Sequence, residues 1–320
     1  MVRYPGNRSF AFTILDDTDD TTVQNGKPVY RLLRELGFRT TKTVWAFDSP
    51  KDVVGPYYLG QTLQNPAYRE WVDDLERQGF EIAFHNASMA SSLRGRTEAA
   101  VDFLTDECGY DLRIHCNHGQ NRENLFWGAQ RYHSRAIRLV HALGRRNRKS
   151  VPSEGSSPDS PYYWADIAAE RFSYIRGFAF RQLDCASVVP GRPYRDSSKS
   201  PSPLWFSTAD APRLSSFMRL VTRESVSRLA DTGGWTIIST HLGKGFALDG
   251  TVDPEFESLL TWVAGQNGWF VPAGELLDHL AGEHGVDEIG SLSRTILECR
   301  HVLDRIRRRR ELARYGQWHA

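Results

Sequence analysis

The chain has 320 residues, of which 40% are hydrophobic and 25% are charged, as in a soluble globular protein of one large domain or two ordinary ones. Its formal net charge of +1 excludes a surface that is basic throughout, so we expect no nucleic-acid partner. No segment approaches the ~18–20 apolar residues that span a bilayer, and the opening MVRYPGNRSF lacks the apolar region of an export signal. The four cysteines show no CxxC spacing, so we expect reduced thiols and a cytoplasmic protein.

Runs of β-prone residues alternate along the chain with helical patterns. The predicted strands are 10–15, 40–47, 81–84, 112–116, 173–180, 235–240 and 269–271. The predicted helices are 27–36, 66–78, 96–107, 122–143, 162–171, 212–230, 254–266 and 272–282. Two Pro- and Ser-rich segments, 145–161 and 190–203, are predicted to be loops. Such alternation implies parallel strands, in either a barrel or an open doubly wound sheet.

Residues that can bind metals or exchange protons follow several of the predicted strands. Asp16 and Asp17 follow the first strand, His85 the third, His118 the fourth and His241 the sixth. In a barrel the C-terminal ends of all strands converge on one face, so we favour the barrel. Adjacent carboxylates raise one another's pKa unless a cation or an exchangeable proton relieves their repulsion. A solvated acidic loop is the alternative interpretation of this stretch.

Four motifs occur in order along the chain: TILDDTDD, TTKTVW, GFEIAFHNAS and TIISTH. Together they resemble the polysaccharide deacetylase family (NodB homology, carbohydrate esterase family 4), over about residues 10–282. The resemblance implies an α/β fold, a distorted (β/α)7 barrel. It also implies that Asp17 and His85 are metal ligands. In the same way, it makes Asp16 the catalytic base and His241 the general acid.

One position departs from the family pattern. Four residues after His85, where the family has its second motif histidine, this chain has Met89. Because a thioether is a poor ligand for zinc, either the metal is lost or another side chain replaces the histidine. His118, presented just after the fourth strand, is the best candidate for the third ligand. The expected cofactor is a divalent metal, with zinc first and cobalt, manganese, nickel or iron as alternatives.

Further polar side chains near the predicted strand ends are candidates for substrate binding. Asn117, Asn121 and Glu123, with Asn124, have an alternative role in capping a following helix. Lys42 could instead form an ion pair inside the barrel. His115 is expected to be structural, since it points away from the strand end. The candidates are Asn86, Asn117, Asn121, Glu123, Lys42 and Lys244.

The resemblance therefore implies a metal-dependent hydrolase that removes an acetyl or similar acyl group from an N-acylated sugar or related amide. The metal would activate water, Asp16 would take its proton, and His241 would protonate the departing amine. The expected substrate is a small molecule or an oligosaccharide. The alternative, favoured by Met89, is a catalytically degenerate carbohydrate-binding barrel with a regulatory or structural role.

Residues 285–320 are expected to form a basic helical tail after a barrel domain of residues 1–284. Fewer than three heptads are too few for a coiled coil, so the tail helix is predicted to pack across the outside of the barrel. A homodimer through this helix is the alternative. Its predicted apolar stripe consists of Ile289, Leu292, Ile296, Cys299, Leu303 and Ile306.

Overall fold

The computed structural model describes residues 2–50, 60–119, 121–143 and 151–315, with side chains throughout except at residue 142 and at 309–315. The loop predicted at 145–161 lies partly outside these ranges, because its description begins at residue 151.

Seven parallel strands form a closed barrel at the centre of the fold. The ring runs β1–β2–β3–β4–β5–β7–β8 and closes where β8 pairs with β1. The predicted α/β barrel is therefore confirmed. The strands of the described residues are β1 Phe10–Asp16, β2 Thr41–Val44, β3 Glu81–Phe84, β4 Ile114–His115, β5 Tyr174–Phe180, β6 Tyr194–Arg195, β7 Leu204–Asp210, β8 Trp235–Thr240, β9 Ala247–Leu248, β10 Thr251–Val252, β11 Gly268–Trp269 and β12 Asp287–Glu288.

Helices follow most of the barrel strands and carry recognisable start and stop signals. Asn65 caps α2 by accepting a hydrogen bond from the Tyr68 amide at 3.1 Å. Gly233 ends α7 in the left-handed region, at φ 64°, a conformation that glycine adopts at no steric cost. The helices are α1 Val23–Glu35, α2 Pro66–Arg77, α3 Arg94–Asp102, α4 Arg135–Leu143, α5 Ala165–Arg171, α6 Leu214–Leu220, α7 Arg223–Thr232, α8 Pro254–Ala264, α9 Ala273–His284 and α10 Ser291–Tyr315.

Strand β1 lies at the centre of the core. All seven of its residues are buried, because β2 and β8 pair with it and helices cover the barrel. Phe10 and Phe12 pack edge-to-face on Phe270, with ring centroids 6.1 and 6.4 Å apart. This packing holds the strand in place, so its C-terminal end delivers the acidic turn to a fixed point on the barrel rim.

One strand of the barrel differs from the prediction. The sequence interpretation omitted β7, which pairs with both β5 and β8 and is needed to close the ring. It counted 269–271 instead, but β11 lies outside the ring and pairs only with the start of β1, at Phe10 and Ala11. The end of β1 pairs with β2 from Leu15 onward, so β11 fills the gap where those two strands diverge.

The long helix predicted over 122–143 is wrong. The residues before Gly128 form an irregular loop, a 3-10 turn follows at Gly128–Arg131, and α4 begins only at Arg135. Asn117 explains part of this, because its side chain bonds both the amide and the carbonyl of Leu125 and competes with helical bonding. The helix predicted over 212–230 is two helices, because Thr222 caps a new one by accepting from the Ser225 amide at 3.1 Å.

Helix α10 packs on the barrel, as predicted, but through a different face. Its buried side chains are Leu297, Glu298 and His301, whereas Leu292 and Leu303 of the predicted stripe are 75% and 54% exposed. The contact is largely polar, with Glu298 accepting bonds from the backbone amides of two residues that precede α4. The homodimer remains a prediction.

None of the helices within the described ranges is both long enough and apolar enough to cross a bilayer.

Candidate functional site

A cavity of about 190 Å³ opens at the C-terminal ends of the barrel strands. Acidic and imidazole side chains that follow β1, β3 and β8 line one part of it, and a group of arginines lines another. The lining includes Asp17, Asp19, His85, Asn117, His118 and His241, together with Arg131, Arg176, Arg305 and Arg308.

The aspartate that ends β1, Asp16, lies inside the barrel and does not line the cavity. It is fully buried, and its Oδ2 lies 3.0 Å from Nζ of Lys42, which is also fully buried. The same oxygen accepts from the Tyr30 hydroxyl at 2.9 Å, and Oδ1 accepts from the Leu242 amide at 2.7 Å. Asp16 and Lys42 therefore neutralise each other beneath the cavity.

The next residue, Asp17, faces the cavity and is held by an arginine from across the barrel. Nη1 of Arg176 lies 2.8 and 2.9 Å from its two carboxylate oxygens and 2.7 Å from the Ser239 hydroxyl. Burial alone would raise the pKa of Asp17, but the charge of Arg176, aided by His85 and His241, lowers it. Asp17 is thus an ionised, oriented carboxylate.

Three imidazoles converge on the carboxylate of Asp19. Its Oδ1 lies 3.3 Å from Nε2 of His85, and its Oδ2 lies 3.4 Å from Nε2 of His241. Nε2 of His118 is 3.7 Å from Oδ2, and Lys244 approaches the same oxygen at 3.5 Å from nearer the solvent. The histidines that the sequence pattern singled out are therefore brought together.

Each of these imidazoles is fixed through its other ring nitrogen. Nδ1 of His85 lies 2.9 Å from the Cys116 carbonyl oxygen, and Nδ1 of His241 lies 2.8 Å from the Pro212 carbonyl oxygen. Nδ1 of His118 lies 2.7 Å from Oδ1 of Asn121. Since these oxygens only accept hydrogen bonds, each Nδ1 must carry its proton. When one of these three imidazoles is neutral, it therefore directs the lone pair of its Nε2 toward the Asp19 carboxylate.

The Asp19 carboxylate is ionised at the centre of this cluster. Burial would raise the pKa of Asp19, but hydrogen bonds from His241 and His85 and the charge of His118 hold it well below its usual range. Burial lowers the pKa of His118, and the charge of Asp19 opposes that effect. Neutral imidazoles and a carboxylate present only acceptors to one another, which is unfavourable unless a cation or added protons lie between them.

The donor set suits a divalent metal, although the side chains are not arranged around one. Among the described residues, no group of three or more His, Cys, Asp or Glu side chains is placed to hold a metal ion as it stands. The Asp19 carboxylate itself lies where the Nε2 atoms converge. Ligands of a tetrahedral zinc ion lie ~3.3–3.5 Å apart, since each is ~2.0–2.2 Å from the metal. The distances from Asp19 to His85 and His241, 3.3 and 3.4 Å, match that spacing, and the distance from Asp19 to His118, 3.7 Å, is longer. Nδ1–H groups bound to oxygen acceptors are typical of metal-binding histidines.

Several polar residues proposed from the sequence form a network of hydrogen bonds around His118. Asn86 accepts from the His118 amide at 3.0 Å, and Asn121 holds the His118 ring. Glu123 accepts from Nδ2 of Asn121 at 2.7 Å and from the Ser92 amide at 3.0 Å. All of them are buried, and only Asn117 among the proposed asparagines also lines the cavity. These hydrogen bonds fix the orientation of His118.

His115 is structural, as the sequence pattern indicated. It is fully buried, and its Nε2 lies 3.1 Å from Oδ1 of Asn117. Burial lowers its pKa to about 3, so it stays neutral.

The sequence interpretation missed the cavity residues that come from β5, from the loop before α4 and from α10. Arg176 interrupts the apolar run of β5, and an arginine inside a predicted buried strand was a usable signal. Asp19 belongs to the acidic stretch seen in the sequence, but its position after the strand gave no reason to prefer it to Asp17 as a metal ligand. Arg131, Arg305 and Arg308 lay in segments interpreted as helix or tail, and nothing local linked them to the strand ends.

A closed barrel of seven parallel strands surrounded by helices defines the (β/α)7 architecture of the NodB-homology type. A solved structure that is similar to this chain is described as a putative polysaccharide deacetylase from Mycobacterium smegmatis. The two share 11% identity at a TM-score of 0.56, over 91% of this chain and 96% of that one. At that identity the likeness establishes a shared fold, and it confirms the fold implied by the sequence motifs.

A second solved structure is the catalytic domain of a peptidoglycan N-acetylglucosamine deacetylase from Eubacterium rectale, at 10% identity over 86% of this chain and 93% of that one. Its TM-score of 0.38 is too low to support a comparison of folds. No protein-family model matches the chain, and no curated protein matches it either.

Proposed function

We propose that this protein is a metal-dependent hydrolase that removes an acetyl or similar acyl group from an N-acylated sugar or related amide. The observation that carries the proposal is the convergence of three Nε2 atoms on Asp19 at the rim of a deacetylase-like barrel. A metal at this point would polarise the acyl oxygen and lower the pKa of bound water.

The ligands we assign are Nε2 of His85, Nε2 of His118 and the carboxylate of Asp19. The family pattern would place Asp17 in the third position, but both of its oxygens already accept from Arg176. Asp19 faces both histidines directly and is ionised, so it suits a cation better.

Asp17 takes the role of general base in place of Asp16. Asp16 is sealed beneath the cavity by Lys42, Tyr30 and a backbone amide, so it cannot reach a water molecule in the site. Asp17 lines the cavity, is ionised, and is oriented by Arg176. It can accept the proton of an attacking water at the face of the cavity that the histidines share.

His241 is suited to the role of general acid. Its Nδ1–H is held by the Pro212 carbonyl, which turns Nε2 into the cavity, 4.0 Å from Asp17. Burial would lower its pKa, but the hydrogen bond and charge of Asp19 raise it, which favours the protonated form in the metal-free protein. An Nε2–H directed into the cavity can donate its proton to a departing amine.

Acetate release from a panel of N-acetylated sugars, neutral and charged, tests this function. We expect turnover by the zinc-loaded protein that is lost on chelation and restored by zinc. His241→Ala should lower kcat by ~10²–10⁴-fold, the range of general acid catalysis, without changing zinc content. His284→Ala, at an exposed position after the barrel, serves as the matched control and should behave as the wild type.

A folded, zinc-loaded protein that releases no acetate from any member of the panel would contradict the hydrolase. Binding of the same sugars without turnover would then favour the degenerate carbohydrate-binding barrel, for which Met89 is the supporting feature.

A further inference from the structure

One wall of the cavity is strongly basic. Its arginines come from three separate elements: β5, the 3-10 turn at Gly128–Arg131, and α10. The hydrolytic roles proposed above use only Arg176. The four arginines are Arg131, Arg176, Arg305 and Arg308.

Arg176 and Arg308 each form an ion pair with a carboxylate of the protein. Arg176 is paired with Asp17, at 2.8 Å. Arg308 is paired with Asp210 at the end of β7, with its Nη1 2.7 Å from Oδ2. These pairs fix the wall and tie α10 to the rim of the barrel.

Arg131 is buried, and none of the described residues pairs with it through an opposite charge. It is 7% exposed, and within the described ranges no Asp or Glu oxygen lies within 4.0 Å of its guanidinium. Its contacts are Nε2 of His301 at 3.3 Å and the ring of Trp127, whose centroid is 3.9 Å from the guanidinium carbon. Burying a charge is unfavourable unless it is paired.

The neighbours of Arg131 increase the positive potential. Burial, reinforced by Arg131 and Arg305, holds the pKa of His301 well below its usual range, so this histidine is neutral and supplies no compensating charge. Burial also lowers the pKa of Arg131 to about 10, and the charges of Arg305 and Arg176 act in the same direction. Arg131 is therefore prepared for an anion that the described residues do not provide.

We propose that the substrate carries an anionic group, a carboxylate or a phosphate, that binds to Arg131 and Arg305 while its acyl group lies at the histidines. This inference rests on the proposed function, because it assigns the acyl end to the histidine cluster. Guanidinium groups suit both anions, which they bind through paired N–H donors. The cavity of about 190 Å³ is smaller than the ~300–1,000 Å³ of most ligand pockets. It therefore suits one anionic sugar residue, free or at the end of a chain.

Calorimetric binding of sugars that contain no acyl group tests the anion site without relying on turnover. The probes are glucose, glucuronate, glucose 1-phosphate and glucose 6-phosphate, each measured with the purified protein before and after chelation. We expect at least one anionic probe to bind about tenfold or more tightly than glucose, because its ion pairs form in a partly buried site. Chelation should leave that preference unchanged. Comparing the affinity for glucuronate with the affinities for the two sugar phosphates shows whether the site prefers a carboxylate or a phosphate.

Arg131→Gln should remove most of this preference, and Arg305→Gln should weaken it, while Arg307→Gln serves as the matched control. Arg307 is exposed on the same helix and does not line the cavity. Circular dichroism and the melting temperature check that each variant is folded, and Arg305→Gln provides the test if Arg131→Gln does not fold. Equal binding of neutral and anionic probes, a preference abolished by chelation, or a preference retained in both cavity variants would overturn the anion site. Absence of acetate release with the anion preference intact would contradict only the hydrolase.

Discussion

His118→Ala is expected to lower the affinity for zinc by at least ~100-fold, with loss of activity in parallel. The reason is that this substitution removes one of the three ligands assigned to the metal, and an intact structural zinc site is worth ~10–16 kcal/mol of apparent binding free energy. A 100-fold loss corresponds to ~2.7 kcal/mol, a modest share of that total. Zinc titration by calorimetry at neutral pH, on protein first stripped with a chelator, provides the measurement.

Two further variants make this prediction specific. Asn121→Ala removes the oxygen that fixes Nδ1 of His118 at 2.7 Å, and the loss of such a supporting contact costs ~10–100-fold in metal affinity. His284→Ala alters an exposed histidine and should leave the affinity unchanged. Full zinc occupancy of His118→Ala at limiting zinc would show that this histidine is not a ligand.

Lys42→Met is expected to lower the free energy of unfolding by ~3–5 kcal/mol, because removing one partner leaves a buried charge uncompensated. Lys42 and Asp16 are exposed neither to solvent nor to the cavity, and their charged atoms lie 3.0 Å apart. Lys42 also projects from β2 where that strand pairs with the end of β1, so the pair joins two strands of the barrel. Urea denaturation followed by circular dichroism measures the change.

The matched control is Lys27→Met, at an exposed position on α1, which should change stability by less than ~0.5 kcal/mol. The double variant Asp16→Leu with Lys42→Met should recover part of the loss, since it removes both charges together. A single variant Lys42→Met as stable as the wild type would contradict the account of a buried, mutually neutralised pair. It would also reopen the assignment of Asp16 as a catalytic base.

The strand-end histidines could be predicted from the sequence because the signal for them is local. A buried β-prone run followed at once by a polar residue places that residue at the C-terminal rim of a parallel barrel. His85 and His241 follow β3 and β8 directly, and the structure brings them to one cavity. Strand β7 was missed because it directly follows the Pro-rich loop predicted at 190–203 and ends two residues before the helix predicted from residue 212.

The roles of the aspartates could not be predicted, because they depend on residues far away in sequence. Asp17 is separated by 159 positions from Arg176, the residue that occupies both of its oxygens. The sequence around each residue gives no indication that the two form a pair. The same holds for the basic wall, since Arg131 contacts His301 of α10 across 170 positions of the sequence.

The most direct test of the metal site is a crystal structure of the zinc-loaded protein with anomalous diffraction collected on both sides of the zinc edge. We predict a single strong anomalous peak at the cavity rim, within ~2.0–2.2 Å of Nε2 of His85, Nε2 of His118 and a carboxylate oxygen of Asp19. In that structure Asp17 should remain bound to Arg176, and Asp16 to Lys42. No peak at the cavity, or a zinc ion held by Asp17 with Asp19 turned away, would contradict this account.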